Sequence, residues 1–176
     1  MELFDLLRND ENLKNYLRNE CEDNGICVEF ASEIDRKQVL IIKIDDYYNA
    51  QSLKKRPNSI DCLIIQFCGA NKYTLNLVEL KNVQDASNRS IPRKDLRAKF
   101  ETTLYDFMSN RFRQYFNDSQ FSFKYKLLLC AGKVKSQAIK AYSLDFLLSI
   151  RPFLFNNKVL AINGLPPHPL IKSCTK

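Results

Sequence analysis

The clearest pattern of hydrophobic and polar positions lies in residues 60–82, where two apolar runs rich in β-branched residues flank the short polar segment 69–72. Two such runs around a Gly-containing turn are typical of a β-hairpin. A hairpin folded symmetrically about Ala70 pairs apolar residues on one face: Leu63 with Leu77, Ile65 with Leu75, and Phe67 with Tyr73. A shift of one residue would move these side chains to opposite faces, so the pattern favours this register.

Periodicity also predicts the elements before and after the hairpin. Apolar residues at helical spacing predict an amphipathic helix over residues 2–20, and residues 38–45 predict an apolar strand that ends in a turn at 45–49. Residues 26–37 fit either a strand or a helix. The elements expected after the hairpin are a helix at 93–115, a strand at 121–131, a helix at 136–150 and a short strand at 158–162. The buried stripe of the first of these helices is predicted to comprise Leu96, Phe100, Leu104, Phe107, Met108 and Phe112.

Three polar side chains meet at the open end of the predicted hairpin. In the symmetric register Asp61 faces Glu79, and Lys81 points to the same side as Glu79 because side chains alternate along a strand. Two neighbouring carboxylates repel each other unless a cation lies between them. Mg²⁺ suits this position, since it prefers oxygen ligands and commonly takes one or two carboxylates together with water and substrate phosphate. The backbone carbonyl of Leu80 is a further candidate ligand.

Asp61, seventeen residues and then Glu79-Leu80-Lys81 resembles the motif of the PD-(D/E)XK, or restriction-endonuclease-like, nuclease superfamily. The resemblance implies that Asp61 and Glu79 hold Mg²⁺, for which Mn²⁺ can substitute, and that Lys81 assists the attacking water. Ile60 stands where the motif has its proline. The tripeptide pattern Glu-x-Lys on its own also arises by chance. Polar residues at the ends of two neighbouring strands also do not require a functional explanation.

The same resemblance implies a fold. The predicted order of elements fits an α-β-β-β-α-β core, which gives an α/β class with a mixed central sheet flanked by helices. We expect a single nuclease-like domain over residues 1–176, with its core at about 38–132 and a C-terminal extension at 133–176. A crossover through the 93–115 helix would make the 121–131 strand parallel to a hairpin strand.

Superfamily members often add a third acidic ligand, and the sequence offers three candidates. Glu33 and Glu20 precede the hairpin, but a solvated charge is the favoured interpretation of each. Asp46 follows the 38–45 strand and could approach the metal, whereas Asp and Asn at this position also simply favour a turn.

Basic and polar residues near the motif are candidate contacts for a nucleic-acid backbone, because phosphate contacts position the duplex and neutralise its charge. A loop just before Asp61 carries Lys54, Lys55 and Arg56, although a solvated loop would look the same. The turn after Lys81 offers Gln84 and Arg89. The first turns of the 93–115 helix carry Arg93, Lys94, Arg97 and Lys99.

Composition narrows the function further. The formal net charge of +7 suits a polyanionic partner. His168 is the sole histidine and lies in a proline-rich stretch typical of a surface loop, so enzymes that depend on a histidine base or on His-bound zinc are disfavoured. The four glycines are scattered, so no phosphate loop for a nucleotide cofactor is expected. The six cysteines form no C-x-x-C pair and are expected to be buried reduced thiols.

These observations predict a Mg²⁺-dependent DNA endonuclease. The sequence has no secretory leader and no apolar run of about 18 residues, so we expect a cytoplasmic protein that does not enter a membrane. The compact length suits a small type II restriction enzyme that acts as a homodimer, and repair or junction-resolving nucleases stay open. Two alternatives remain, namely a catalytically inactive module that binds nucleic acid or a protein partner, and an RNA-cleaving nuclease with the same metal site.

Overall fold

The computed structural model describes residues 2–83, 91–131 and 146–174. The strands are β1 (Leu17–Arg18), β2 (Glu22–Asp23), β3 (Ile26–Cys27), β4 (Glu29–Phe30), β5 (Val39–Lys43), β6 (Cys62–Phe67), β7 (Lys72–Lys81), β8 (Ser122–Ala131), β9 (Phe153–Phe155), β10 (Lys158–Leu160), β11 (Ile162–Leu165) and β12 (Leu170–Ile171). The helices are α1 (Leu3–Asn9), α2 (Ile44–Ala50), α3 (Arg93–Glu101) and α4 (Arg113–Phe116), with a π-helical segment, Thr102–Arg111, between the last two.

Six strands form a central sheet in the order β1-β5-β6-β7-β8-β11. The pairs from β1 to β7 are antiparallel, whereas β7, β8 and β11 run parallel to one another. The helical residues between β7 and β8 form the crossover that a parallel pair requires. The chain is therefore α/β with a mixed central sheet, and β8 lies parallel to a hairpin strand as the sequence predicts.

The central hairpin adopts the predicted register. β6 and β7 pair Leu63 with Leu77, Ile65 with Leu75, and Phe67 with Tyr73. At the turn, Gly69, Ala70 and Asn71 all have positive φ, a conformation that Gly adopts freely and that Asn tolerates better than most residues.

The two faces of the sheet are covered unequally. One face packs against α1, α2 and helical residues 93–116 in a large core that includes Phe4, Tyr48 and Phe107. The entire stripe predicted for the crossover helix is buried. The opposite face is covered by short strands and irregular chain through a smaller apolar cluster around Val28 and Ile171.

The N-terminal helix is shorter than the pattern predicts. α1 ends at Asn9 because Asp10 takes an extended backbone, and its carboxylate accepts hydrogen bonds from the N–H groups of Asn12 (2.8 Å) and Leu13 (3.1 Å). A side chain bound in this way competes with continuation of the helix. Leu17 then pairs with β5. The prediction of one helix over residues 2–20 is therefore wrong beyond Asn9.

The strand predicted at 38–45 also ends early, and the predicted turn after it is wrong. Residues from Ile44 to Ala50 form α2, in which Ile44, Tyr47 and Tyr48 are buried at helical spacing. Asp45 and Asp46 occupy its first turn, where acidic side chains interact favourably with the helix dipole. Burial of the tyrosines against the helical layer accounts for the helix.

The C-terminal region departs from the expected pattern as well. The predicted strand at 158–162 is divided, because β10 pairs with β9 in a separate two-stranded sheet while β11 joins the central sheet beside β8. Most of the helix predicted at 136–150 lies outside the described residues, although Phe146, Leu147 and Ile150 are buried in the large core. The ambiguous segment 26–37 contributes β3 and β4.

The prediction of reduced cysteines is wrong for four of the six. Disulfides join Cys21 to Cys62 and Cys68 to Cys174, while Cys27 and Cys130 are free thiols. The partners are 41 and 106 residues apart, so sequence spacing did not reveal the pairs. Both bonds cross-link the thinly covered face of the sheet. His168 lies on the exposed surface as expected.

No helix within residues 2–83, 91–131 and 146–174 is long and apolar enough to cross a membrane.

We expect Cys21→Ser to lower the free energy of unfolding by about 2–4 kcal/mol, because the cross-link restricts the unfolded chain over a long loop. Denaturant titration without reductant measures this change, and Cys27→Ser, which alters a free thiol, is the control. The difference should disappear when a reductant is added. Equal stability of Cys21→Ser and the wild type under oxidising conditions would contradict the assignment of this disulfide.

Candidate active site

The open end of the β6–β7 hairpin brings the predicted site residues together. Asp61 immediately precedes β6, and its Oδ2 accepts a hydrogen bond of 2.6 Å from the backbone N–H of Leu80 in β7. Asp61 is 5% exposed and Glu79 is fully buried. Leu80 packs in the smaller apolar cluster on the opposite face of the sheet. The alternation predicted for Glu79, Leu80 and Lys81 is therefore the one observed.

Glu79 is compensated by two ammonium groups. Its Oε1 accepts from Lys81 Nζ at 2.8 Å and from Lys99 Nζ at 2.7 Å. Lys81 comes from the end of β7 and Lys99 from α3, so the contact joins the sheet to the crossover helix. Glu79 Oε2 is buried and has no hydrogen-bond partner in the described part of the chain. A buried carboxylate without such partners would be strongly destabilising.

Burial dominates the electrostatics of Asp61. Loss of solvation, followed by the nearby Glu79 charge, raises the pKa of Asp61 to about 7, against the opposing effects of the Leu80 N–H and the Lys99 charge. Burial alone would lower the pKa of Lys81, but the charge and hydrogen bond of Glu79 outweigh it and raise this pKa. The carboxylates thus interact with each other as well as with the lysines.

A pocket of about 260 Å³ opens onto this cluster. Its lining residues come from the loop before β6, the end of β7 and the start of α3: Asn58, Glu79, Lys81, Ile91, Pro92, Asp95, Leu96 and Lys99. The pocket therefore gives a small anion or a backbone phosphate a route to both ammonium groups.

The residues fit a hard divalent cation in kind. Asp61 and Glu79 supply two interacting carboxylates, and the unpartnered Glu79 Oε2 is an acceptor that a cation would satisfy. Mg²⁺ takes one or two carboxylates in many sites and completes its shell with water and phosphate. The described residues contain no group of three or more His, Cys, Asp or Glu that could hold a metal. Because N–H and C=O of one strand residue point to the same edge, the Leu80 carbonyl shares the edge at which Asp61 lies.

The three candidates for a third acidic ligand lie elsewhere. Glu33 lines a different pocket with Cys68 and Gly69, at the turn end of the hairpin. Asp46 forms an exposed ion pair of 2.8 Å with Arg18. Glu20 lines a pocket beside β1 and the end of β5.

Several residues near the site were not assigned to it from the sequence. Among them are Asp95, which lines the pocket, and Asp23, whose charge adds to the raised pKa of Asp61. Lys99 was expected only as a phosphate contact on the helix, yet it follows the buried Leu96 by three positions and so shares its face. Asn58 lines the pocket. Burial raises the pKa of Asp45, Lys43 opposes this shift, and the Asp61 charge adds to it. Asp45 precedes the predicted candidate Asp46 by one residue. It is therefore an acidic residue of this segment whose charge interacts with that of Asp61.

The predicted phosphate contacts fall into three groups. Lys54, Lys55 and Arg56 are exposed in the loop just before the pocket residue Asn58. Arg93 and Lys94 are exposed in the first turn of α3. Gln84 and Arg89 lie outside the described residues.

Arg97 and Arg93 are both engaged in packing, and the Arg93 guanidinium lies 5.6 Å from the ring centroid of Phe146. The contacts of Arg97 are more extensive. Its guanidinium pairs with Glu101 at 2.9 Å, donates to the Arg151 carbonyl, and lies 4.6 Å from the ring centroid of Phe153. These contacts tie α3 to the start of β9.

A scan against protein-family models and searches of curated proteins and of solved structures found no match to this chain.

The raised pKa of Asp61 gives a testable dependence of stability on pH. The folded state favours the protonated carboxyl, so this contribution to stability is complete below pH 4 and is lost as the pH rises through about 7. Asp61→Asn stays neutral and keeps an acceptor for the Leu80 N–H. Its unfolding free energy relative to the wild type should therefore rise between pH 5 and pH 8, by roughly 3 kcal/mol. Denaturant titrations in EDTA at both pH values measure this change, and a constant difference would contradict it.

Proposed function

We propose that this protein is a Mg²⁺-dependent DNA endonuclease in which Asp61 and Glu79 hold the cation and Lys81 assists the attack of water. The observation that carries the proposal is the junction at the open end of the central hairpin. There, Asp61 is bound to the Glu79-Leu80-Lys81 strand at 2.6 Å, and the Lys81 ammonium lies 2.8 Å from Glu79 beside a pocket.

The order of elements around this junction supports a restriction-endonuclease-like core. α1 precedes the antiparallel strands β5, β6 and β7, and α3 then leads to the parallel strand β8. Apart from α2 between β5 and β6 and the short strands β1 to β4 before β5, this order is that of an α-β-β-β-α-β core. Glu79 lies on β7, and Asp61 immediately precedes its neighbour β6. The large apolar core between the helices and the sheet gives these positions a rigid support.

A Mg²⁺ ion bound by Asp61 and Glu79 would polarise the phosphate and lower the pKa of a bound water. The chain's own residues position the substrate and stabilise charge. The Lys81 ammonium, which is one-third exposed at the pocket, can orient the attacking water and offset charge that develops on the phosphate. Burial of Asp61 and Glu79 keeps solvent away from the reacting centre and strengthens these interactions.

Exposed basic residues on two sides of the pocket support a nucleic-acid substrate. Lys54, Lys55 and Arg56 precede the pocket residue Asn58, while Arg93 and Lys94 lie at the start of α3 next to Pro92 and Asp95, which line the pocket. Cleavage of both strands of a duplex by so small a domain calls for two copies, so the proposal includes a homodimer.

A catalytically inactive binding module is the second candidate, and one observation favours it. The Glu79 charge is already compensated by two ammonium groups without a metal, so the site can persist as an ion-pair cluster. This candidate predicts salt-sensitive DNA binding without cleavage under any metal condition. An RNA-cleaving enzyme would use the same residues and differ only in substrate.

We expect Glu79→Gln to reduce DNA cleavage by roughly 100-fold or more, because the amide removes a charged ligand and the partner of Lys81. DNA binding in EDTA should be retained. Supercoiled plasmid and linear phage DNA, incubated with Mg²⁺, Mn²⁺ or EDTA, provide the assay.

The matched control is Glu11→Gln, since the Glu11 side chain is 79% exposed in an N-terminal ion pair. It should cleave at the wild-type rate. Cleavage by Glu79→Gln at that rate would refute the assignment of the site. Binding without cleavage by the wild-type protein on both DNA and RNA would favour the inactive module.

Replacing Lys54, Lys55 and Arg56 together with Gln should weaken DNA binding and reduce the slope of log K against log salt by about 2 to 3, since each phosphate contact contributes about 0.9. Fluorescence anisotropy with a labelled duplex at several salt concentrations measures the slope. Lys72→Gln, an exposed lysine at the turn end of β7, is the control. An unchanged slope in the triple variant would exclude this loop from the interface.

A further inference from the structure

Glu79 Oε1 is shared by two lysines that come from different elements. Lys81 follows Glu79 on the same strand, whereas Lys99 reaches the carboxylate from α3 at 2.7 Å. We infer that Lys99 is an internal competitor of the divalent cation, because its ammonium occupies the Glu79 carboxylate in the metal-free protein and must withdraw from it when a cation binds. This inference rests on the proposed metal site.

The backbone of α3 holds Lys99 over the site. Leu96 and Phe100, which flank Lys99 on the inner face of the helix, are 2% and 0% exposed. The helix therefore cannot move away from β7 without opening the apolar core, and only the flexible side chain of Lys99 can leave Glu79.

The pocket gives that side chain somewhere to go. Lys99 lines it together with Glu79 and Lys81, and the Lys99 side chain is 21% exposed. An ammonium that swings from Glu79 towards the pocket would regain solvent or meet a backbone phosphate. Lys99 would then change partner from the carboxylate to the substrate when a cation arrives.

Electrostatics explains why the two cations compete. A divalent ion that binds Glu79 while two ammonium groups remain at hydrogen-bond distance from one of its oxygens is repelled by both. The Glu79 carboxylate is fully buried, so solvent screens this repulsion poorly. The lysine that is less exposed, Lys99, is the larger obstacle. In the absence of substrate phosphate, Lys99 therefore keeps cation affinity low.

The test is direct measurement of Mn²⁺ binding to the full chain by isothermal titration calorimetry, without nucleic acid. Lys99→Met removes the charge, and Lys99→Arg retains it. Lys72→Met makes the same change at an exposed position at the turn end of β7. We expect Lys99→Met to bind Mn²⁺ about tenfold or more tightly than the wild type, with the other two variants within about twofold of it.

A second neutral variant covers the case in which Lys99→Met does not fold. Lys99→Gln can still donate a hydrogen bond to Glu79 but carries no charge, so it should show the same gain in affinity. If Lys99 had only a structural role, the Mn²⁺ affinity of each variant would follow its folding stability. Lys99→Arg and Lys99→Gln would then change the Mn²⁺ affinity in the same direction.

Unchanged or weaker Mn²⁺ binding by the neutral Lys99 variants, with wild-type binding intact, would overturn the competitor role and leave the proposed nuclease site standing. Absence of binding by every protein, including the wild type, would count against the metal site itself and so against both proposals. Wild-type binding that survives Glu79→Gln would likewise overturn both, because the cation would then lie elsewhere.

Discussion

The burial of the Glu79 carboxylate is the constraint on which the arrangement of the site depends. A carboxylate with no exposed surface needs cationic partners, and the chain provides one from the end of β7 and one from α3. The second contact is available only when α3 is docked on the sheet. Packing of the helical layer and compensation of the buried charge are therefore a single requirement. Burial of Asp61 itself, followed by the nearby Glu79 charge, raises the pKa of Asp61 to about 7.

Because the two faces of the sheet are covered unequally, the structure also depends on the cross-links that hold strand β6. The helical face has a large aromatic core, whereas the opposite face has a small cluster and two disulfides. One disulfide includes Cys62, the first residue of β6, and the other includes Cys68, just after its last residue. Both ends of the strand that follows Asp61 are thus tied to terminal segments of the chain. The cross-links supplement apolar contacts where few are available.

These two constraints support the proposed chemistry in complementary ways. The cross-linked hairpin fixes Asp61 against Leu80, while the docked helix brings Lys99 to Glu79. The result is a site in which carboxylates and ammonium groups balance one another. Glu79, Lys81 and Lys99 of this site line a pocket that exposed basic residues flank. Such a balance suits a centre that should acquire a cation and a phosphate together.

The local sequence determined the features that depend on the spacing of residues within one element or between neighbouring strands. Alternating apolar residues in β6 and β7 specified their register, and that register brought Asp61, Glu79 and Lys81 to one end of the hairpin. Helical periodicity likewise identified the buried stripe of the crossover helix. Contacts between distant residues were decided only in the folded chain. Tyr47 and Tyr48 formed a helix because a core was present to bury them, and cysteines up to 106 residues apart met only after the sheet was assembled. The pairing of Lys99 with Glu79 was also decided only in the folded chain. The sequence patterns of α3 and β7 do not indicate which face of the helix will cover the end of the strand.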